Sequence, residues 1–341
     1  MAGRTALITG ALGQDGSLLA ELLLLRGYRV VGVDRPDSTL RVDGALAAME
    51  VVPADIADSR AVRALIDAWQ PDEMYHLAAS HHSSQDVPVG VALASKDAML
   101  RTNFLATKAL AFALLETQSK CHLVFASSSQ IFTATEIVHS VNERSPRQPS
   151  CFYGHVKTWS MDLLGFLRRE SGLNASSAIL FNHESPLRGV QYVSRKITQA
   201  AAMAAAGQTQ PIDLLNVGSR VDWSSARDVV QALSLMGKSE VPRDYIVASG
   251  QLRSVRDLLS VAFEHVGLEW TKFARYQQDL ETPSLVGRPQ ALEKLLGWRR
   301  SVSFEDMVRE MVGHDLNLAK ANQSDRAGPC SAAPSSLLPP R

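Results

Sequence analysis

Cysteine is scarce in this chain of 341 residues, which holds only Cys121, Cys151 and Cys330. With no short paired spacing among them, neither a disulfide framework nor a zinc cluster is expected, and a reducing compartment fits best. Net charge is missing too: Lys and Arg together number 35, and so do Asp and Glu. No nucleic-acid or membrane partner is therefore called for, and any anionic ligand must be held by a local site. The apolar stretch Leu18 to Leu25 is broken by Glu21 and is too short to span a bilayer. A strand pattern begins almost at residue 1, leaving no room for a signal peptide, so a cytoplasmic protein is expected. There is no internal repeat.

What the chain does have is an apolar fraction of 45%, ample for a large core. From Thr5 to about Leu180, short apolar runs alternate with longer amphipathic segments, which predicts an α/β, doubly wound parallel-sheet Rossmann fold. The expected strands are Thr5–Thr9, Arg29–Asp34, Glu50–Val52, Met74–Leu77, His122–Ala126 and Ser177–Leu180. Helices are expected to begin near Ser17, Ser59, Met99 and Phe152, several opened by capping Ser or Asp. After Asn182 the rhythm changes to a helix across Tyr192–Ala206, shorter strands near Asp213–Leu215 and Tyr245–Val247, and a last helix over Phe304–Ala319. The expected division is a dinucleotide-binding domain over 1–181, with segments near 222–250 returning to it, and a smaller C-terminal substrate lobe over 182–320. The tail 321–341, rich in Ala, Ser and Pro from Ser324 on, is expected to be disordered.

Gly10, Gly13 and Gly16 form a GxxGxxG pattern directly after the first strand and before a helix, where missing side chains let backbone and pyrophosphate approach closely. Gln14 and Asp15 lie within the same turn. Asp34 closes the second strand, where a carboxylate can accept from ribose hydroxyls and repel a 2′-phosphate, which favours NAD. Arg35 follows it and could stack on adenine or reach a 2′-phosphate, which leaves NADP open. Asp55, after the third strand, is placed for the adenine amine or, alternatively, as a helix-capping or loop acid. Ile56 beside it and Leu77 and Ala78 at the end of the fourth strand complete the expected cofactor contacts.

Tyr153 and Lys157 make a YxxxK pair whose i, i+4 spacing puts both on one helix face. A neighbouring ammonium favours the phenolate, so Tyr153 could exchange the proton of a substrate hydroxyl, with Lys157 also holding the nicotinamide ribose. The run Ser127, Ser128, Ser129 ends the fifth predicted strand, where ligands bind in such sheets, and Ser128 can orient the same oxygen. For Ser127 and Ser129 a structural turn is an equal alternative. No metal site is expected.

With these residues assembled, the chain resembles the GDP-mannose 4,6-dehydratases of the extended short-chain dehydrogenase/reductase family. The likeness is carried by ALITGALGQDGSLLAELLL, ILFNHESPLRG, YVSRKIT, VDWSSARDVV, ASGQLRSVRDLL and FEDMVREMV. It implies NADP as cofactor, a GDP-hexose held in the second lobe, and a homodimer or homotetramer. It also implies oxidation at C4, loss of water across C5 and C6, and hydride return to C6. Ser128 stands where the family has the Thr of its Thr-Tyr-Lys set, while Tyr153 and Lys157 match directly. Asn182 resembles a substrate-contacting Asn and Lys196 the Lys that meets the diphosphate. Arg188 and Arg220 are further phosphate candidates, whereas His183 and Glu184 read as structural.

The resemblance also has gaps. The family's ASTSE reads Ala126–Ser127–Ser128–Ser129–Gln130 here, so the Glu expected to remove the C5 proton is an amide. Its AAQSH segment reads Ala78–Ala79–Ser80–His81–His82, and rescue by Glu136, His81 or His82 is open. KRDW reads Arg220–Val221–Asp222–Trp223, and RPxEV is replaced by Gln278–Asp279–Leu280–Glu281, so Arg220 or Arg288 would have to substitute at the diphosphate. Alternatives to dehydration are a nucleotide-sugar 4-ketoreductase, 4-dehydrogenase or epimerase, or a homologue that binds cofactor without turnover.

Overall fold

The computed structural model describes residues 3–35, 44–81, 93–208 and 210–326. The first half runs β1 (Thr5–Thr9), α1 (Gln14–Leu25), β2 (Arg29–Asp34), β3 (Glu50–Pro53), α2 (Ser59–Trp69), β4 (Glu73–His76), α3 (Leu93–Leu100), α4 (Ala106–Glu116) and β5 (His122–Ser128). β6 (His139–Val141), α5 (Phe152–Ser171) and β7 (Ala175–Leu180) follow. The remainder is β8 (Asn182–Glu184), α6 (Val193–Ala205), β9 (Ile212–Asn216), β10 (Arg220–Ser225), α7 (Ala226–Gly237), β11 (Asp244–Val247), β12 (Leu252–Ser254), α8 (Val255–Glu264), β13 (Ala274–Gln278), β14 (Leu285–Gly287), α9 (Gln290–Leu296) and α10 (Phe304–Arg326).

Seven strands form one sheet in the order β11-β7-β5-β4-β1-β2-β3, and every neighbouring pair is parallel. Because side chains alternate across a strand, each strand feeds two cores. Leu7, Met74, Phe125 and Ile179 meet Val62, Leu110 and Leu164 on one face, while Ile8, Tyr75, Val124 and Leu180 meet Leu19, Leu23, Val229 and Leu233 on the other. A third core, with Ile197, Leu258, Phe263, Met307 and Met311, joins α6, α8 and α10. Strand order reverses between β1 and β4, which opens a crevice at their carboxyl ends, where ligands bind in such sheets.

Three differences from the sequence reading have local causes. The helix expected near Ser17 starts at Gln14, because Gly13 is extended and serves as its N-cap. The helix expected near Met99 begins at Leu93 and passes through a π turn, Arg101–Leu105, before α4. That combined stretch, Leu93–Glu116, is by length and composition able to cross a membrane, yet half of its apolar window is buried, and it packs on α2 and α5. The last helix continues to Arg326, so residues 321–326, expected in a disordered tail, are helical. The good helix formers Ala319, Lys320 and Ala321 extend its last turns. The rest of the tail lies outside the described residues.

Candidate active site

A cavity of about 640 Å³ lies over the carboxyl ends of β1, β4, β5 and β7 and is walled on its far side by the second lobe. Its floor begins at the glycine turn. No side chain caps α1, so the N–H groups of its first turn point free at the helix's positive end. A Cβ on Gly16 would lie 2.2 Å from the Gly10 carbonyl oxygen, so only glycine lets α1 start this close to β1. Gly10, Gly13, Gln14, Asp15, Gly16 and Leu77 all line the cavity. An anion-accepting helix start of this kind fits the pyrophosphate of a dinucleotide.

The side chains of Gln14 and Asp15 face the second lobe instead. The Gln14 amide donates to the His183 carbonyl at 3.3 Å and accepts from the Ser185 hydroxyl at 2.9 Å, and Asp15 holds the His183 ring at 2.8 Å. Burial works against charge on both members of this pair, but their mutual attraction prevails: Asp15 is lowered and His183 raised. What these two residues offer a cofactor is therefore backbone N–H. Asp34 accepts from the N–H groups of Leu12 at 3.1 Å and Arg35 at 2.8 Å, which braces the glycine turn against β2. Asp55 does not cap α2, which Asp58 does, but takes the loop role: it accepts from the Ala57 N–H at 3.0 Å and pairs with Arg101, which lowers its pKa. Neither of them, nor Arg35, Ile56 or Ala78, is among the residues that line the cavity.

The opposite wall comes from β5 and α5. Ser128 ends β5, with its hydroxyl accepting from the Gln130 N–H at 3.2 Å, while Ser127 is buried against the Met161 sulfur. A Cβ on Gly154 would come within 2.2 Å of the Gln130 carbonyl oxygen, so the glycine lets α5 press against this turn, and Tyr153 and Ser128 line the same cavity. Lys157 is 1% exposed, and its ammonium donates to the Ala126 carbonyl at 2.8 Å. Burial drives its pKa down to about 7. Burial likewise pushes Tyr153 well up, with Tyr192 and Cys151 adding to it. The expected lowering of the phenol by its lysine is thus not realised in the protein alone, because burial outweighs it for both groups.

His81 joins this group. Its ring stands edge-on to Tyr153 with centroids 4.6 Å apart, Nδ1 is 3.3 Å from the Tyr192 hydroxyl, and Nε2 is 3.3 Å from the Gln130 amide nitrogen. The Cys151 thiol donates to Gln130 Oε1 at 3.1 Å. Tyr192 and Cys151 had gone unnoticed in the sequence, the first marking only a helix start and the second only a scarce cysteine. Glu136 is exposed in the loop before β6 and does not line the cavity, so it cannot replace the missing Glu. His82 lies outside the described residues.

From the second lobe, Asn182 and Arg188 reach the cavity. The Arg188 guanidinium lies 3.7 Å over the Tyr192 ring, with its buried Nε 3.3 Å from the Glu184 carboxylate. Glu184 is buried and accepts from Ser194 at 2.6 Å, the structural role expected of it. Three other cations are turned elsewhere. Arg220 pairs with Glu281 at 3.2 Å, Arg288 donates to Ser140 at 2.7 Å, and Lys196 sits half-buried on α6 beyond the lining residues Val193 and Ser194. The phosphate expectation for Arg220 and Lys196 therefore finds no support in this geometry, whereas Arg188 retains it.

Comparison with known proteins points one way. Residues 7–311 match the profile of the family described as GDP-mannose 4,6 dehydratase. GDP-mannose 4,6 dehydratase 2 of Arabidopsis thaliana is 35% identical over 93% of this chain and 88% of its own. Among solved structures, the dTDP-glucose 4,6-dehydratase of Bacillus anthracis in complex with NAD superposes with a TM-score of 0.76 at 16% identity, covering 92% of this chain and 96% of its own. RMD of Pseudomonas aeruginosa complexed with NADPH gives 0.75 at 18% identity, covering 92% and 99%.

Proposed function

The chain belongs to the GDP-mannose 4,6-dehydratase family, and from that we propose that it removes water from the hexose of GDP-mannose at the site formed by Ser128, Tyr153 and Lys157. It is a nucleotide-sugar 4,6-dehydratase of the short-chain dehydrogenase/reductase type and works with a nicotinamide dinucleotide. The observation that carries the reading is the placement of Tyr153 and Lys157 on one turn of α5, across a single cavity from the uncapped start of α1.

When bound, the nicotinamide supplies the acceptor for hydride from C4 and the donor of hydride to C6. The chain's own groups do the rest. Ser128 directs the C4 hydroxyl, and Tyr153 takes its proton. Lys157, once ribose hydroxyls replace part of its lost solvation, holds the cofactor and favours the phenolate. Arg188 is placed for the diphosphate. Asp34, at the end of β2, favours NAD over NADP. The free thiols Cys121 and Cys151 suit a cytoplasmic location. The molecule assembles through α4 and α5, whose exposed Phe112, Trp159 and Phe166 form an apolar surface suited to a second copy.

Gln130 favours a second reading, reduction of a 4-keto sugar without elimination, because an amide cannot accept the C5 proton. Purified protein is incubated with GDP-mannose and NAD(H) or NADP(H), and the nucleotide sugar is weighed by mass spectrometry. We expect loss of one water; retention of that water under both cofactors would instead direct the search to 4-keto substrates.

A further inference from the structure

We infer that His81 is the base that takes the C5 proton, with Gln130 as its positioning residue; this rests on the dehydration reading above. Two departures from the family pattern carry the argument. By the resemblance described above, position 130 holds Gln where a Glu is expected and position 81 holds His where a Ser is expected. Though 49 residues apart in sequence, the two side chains meet at 3.3 Å inside the cavity. One change removes a base and the other brings one to the same place.

The hydrogen-bond pattern also sets the form of the imidazole. The Gln130 amide nitrogen can only donate, so the His81 Nε2 it faces presents a lone pair, and the ring proton resides on Nδ1, which donates to the Tyr192 hydroxyl. Gln130 is held in this orientation by the Cys151 thiol, which donates to its Oε1. Behind the ring, Asn103 in the π turn donates to the Ser80 carbonyl at 3.0 Å and fixes the segment that carries His81. The ring stands 4.6 Å from that of Tyr153, so two adjacent carbons of one hexose can meet the phenol and the imidazole together. The carboxylates that line the cavity are already engaged, Asp15 with His183 and Glu184 with Ser194.

Once C4 is a ketone, Nε2 takes the C5 proton. The electron pair of the C5–H bond becomes the C5–C6 double bond as the C6–O bond breaks, and the imidazolium returns the proton to the departing hydroxyl. Water leaves, and His81 is neutral again. The long bond to Gln130 opens as substrate takes its place.

The test uses the full chain with its cofactor and GDP-mannose, and compares wild type, His81→Asn and the double variant His81→Ser with Gln130→Glu. Water loss is followed by mass spectrometry, reduced nicotinamide by fluorescence, and C5 exchange by deuterium uptake into the 4-keto-6-deoxy product. His81→Asn should slow water loss and C5 exchange by about 10²- to 10⁴-fold while still reducing the cofactor. The double variant, which restores a carboxylate, should return to within about tenfold of wild type in all three readouts. Water loss by His81→Asn within about threefold of wild type would overturn the assignment and leave the proposed function standing. A wild type that reduces the cofactor but never releases water would overturn both.

Discussion

Lys157 is sealed from solvent with one carbonyl for company, and this has a thermodynamic signature. Its folded pKa of about 7 lies below the value of about 10.4 for a free lysine, so the unfolded chain binds more protons between these limits. The destabilisation is full below pH 7, fades as pH rises through the window and is gone above the unfolded value. Relative to Lys157→Met, the cofactor-free protein should gain about 2 kcal/mol between pH 7 and pH 9, read from urea midpoints. Parallel curves for the two proteins would show that the ammonium is better solvated than its burial indicates. The pair Tyr153 and Lys157 was legible in the sequence because the i, i+4 spacing is a local fact. Tyr192 was not, since its contact with His81 spans 111 residues and only folding creates it.

At the scale of elements, the contact of α5 with the turn after β5 determines the distance between Tyr153 and Ser128. Gly154→Ala would drive a Cβ to 2.2 Å from a backbone oxygen, so one of the two segments must retreat. The expected cost is about 1–3 kcal/mol of stability and roughly 10²-fold in turnover, with cofactor affinity lowered as well because α5 carries Lys157. Equilibrium unfolding, steady-state kinetics and cofactor titration check the three parts, and unaltered turnover would mean that the turn yields without moving Tyr153. Sequence patterning located β1 and β2 to the residue because their apolar runs are bounded by charge or glycine. It placed β5 and β7 too short, since Ser127, Ser128 and Ser176 carry no strand signal and are strand only through their pairing. The assignments of Gln14, Asp15 and Arg220 rested on motif position, and their side chains turn toward partners 61 to 171 residues away.

For the whole molecule, Trp159 and Phe166 lie seven residues apart and so share a face of α5, with Phe112 on neighbouring α4. If the proposed assembly uses this face, substituting Trp159 and Phe166 together by Glu should yield monomer, as measured by light scattering, while the cofactor site is retained. An unchanged mass would relocate the contact between copies. The parallel sheet and its two helical layers were readable from alternating periodicity, but how the second lobe closes over the sheet was not. That closure depends on the bonds from Gln14 and Asp15 to His183 and Ser185. They tie the glycine turn at the floor of the cavity to the wall opposite it, so the two ends of the site cannot shift independently of each other. A redox partner that ends each cycle in the state in which it began has no need to leave, and so can remain a resident of the protein through many turnovers.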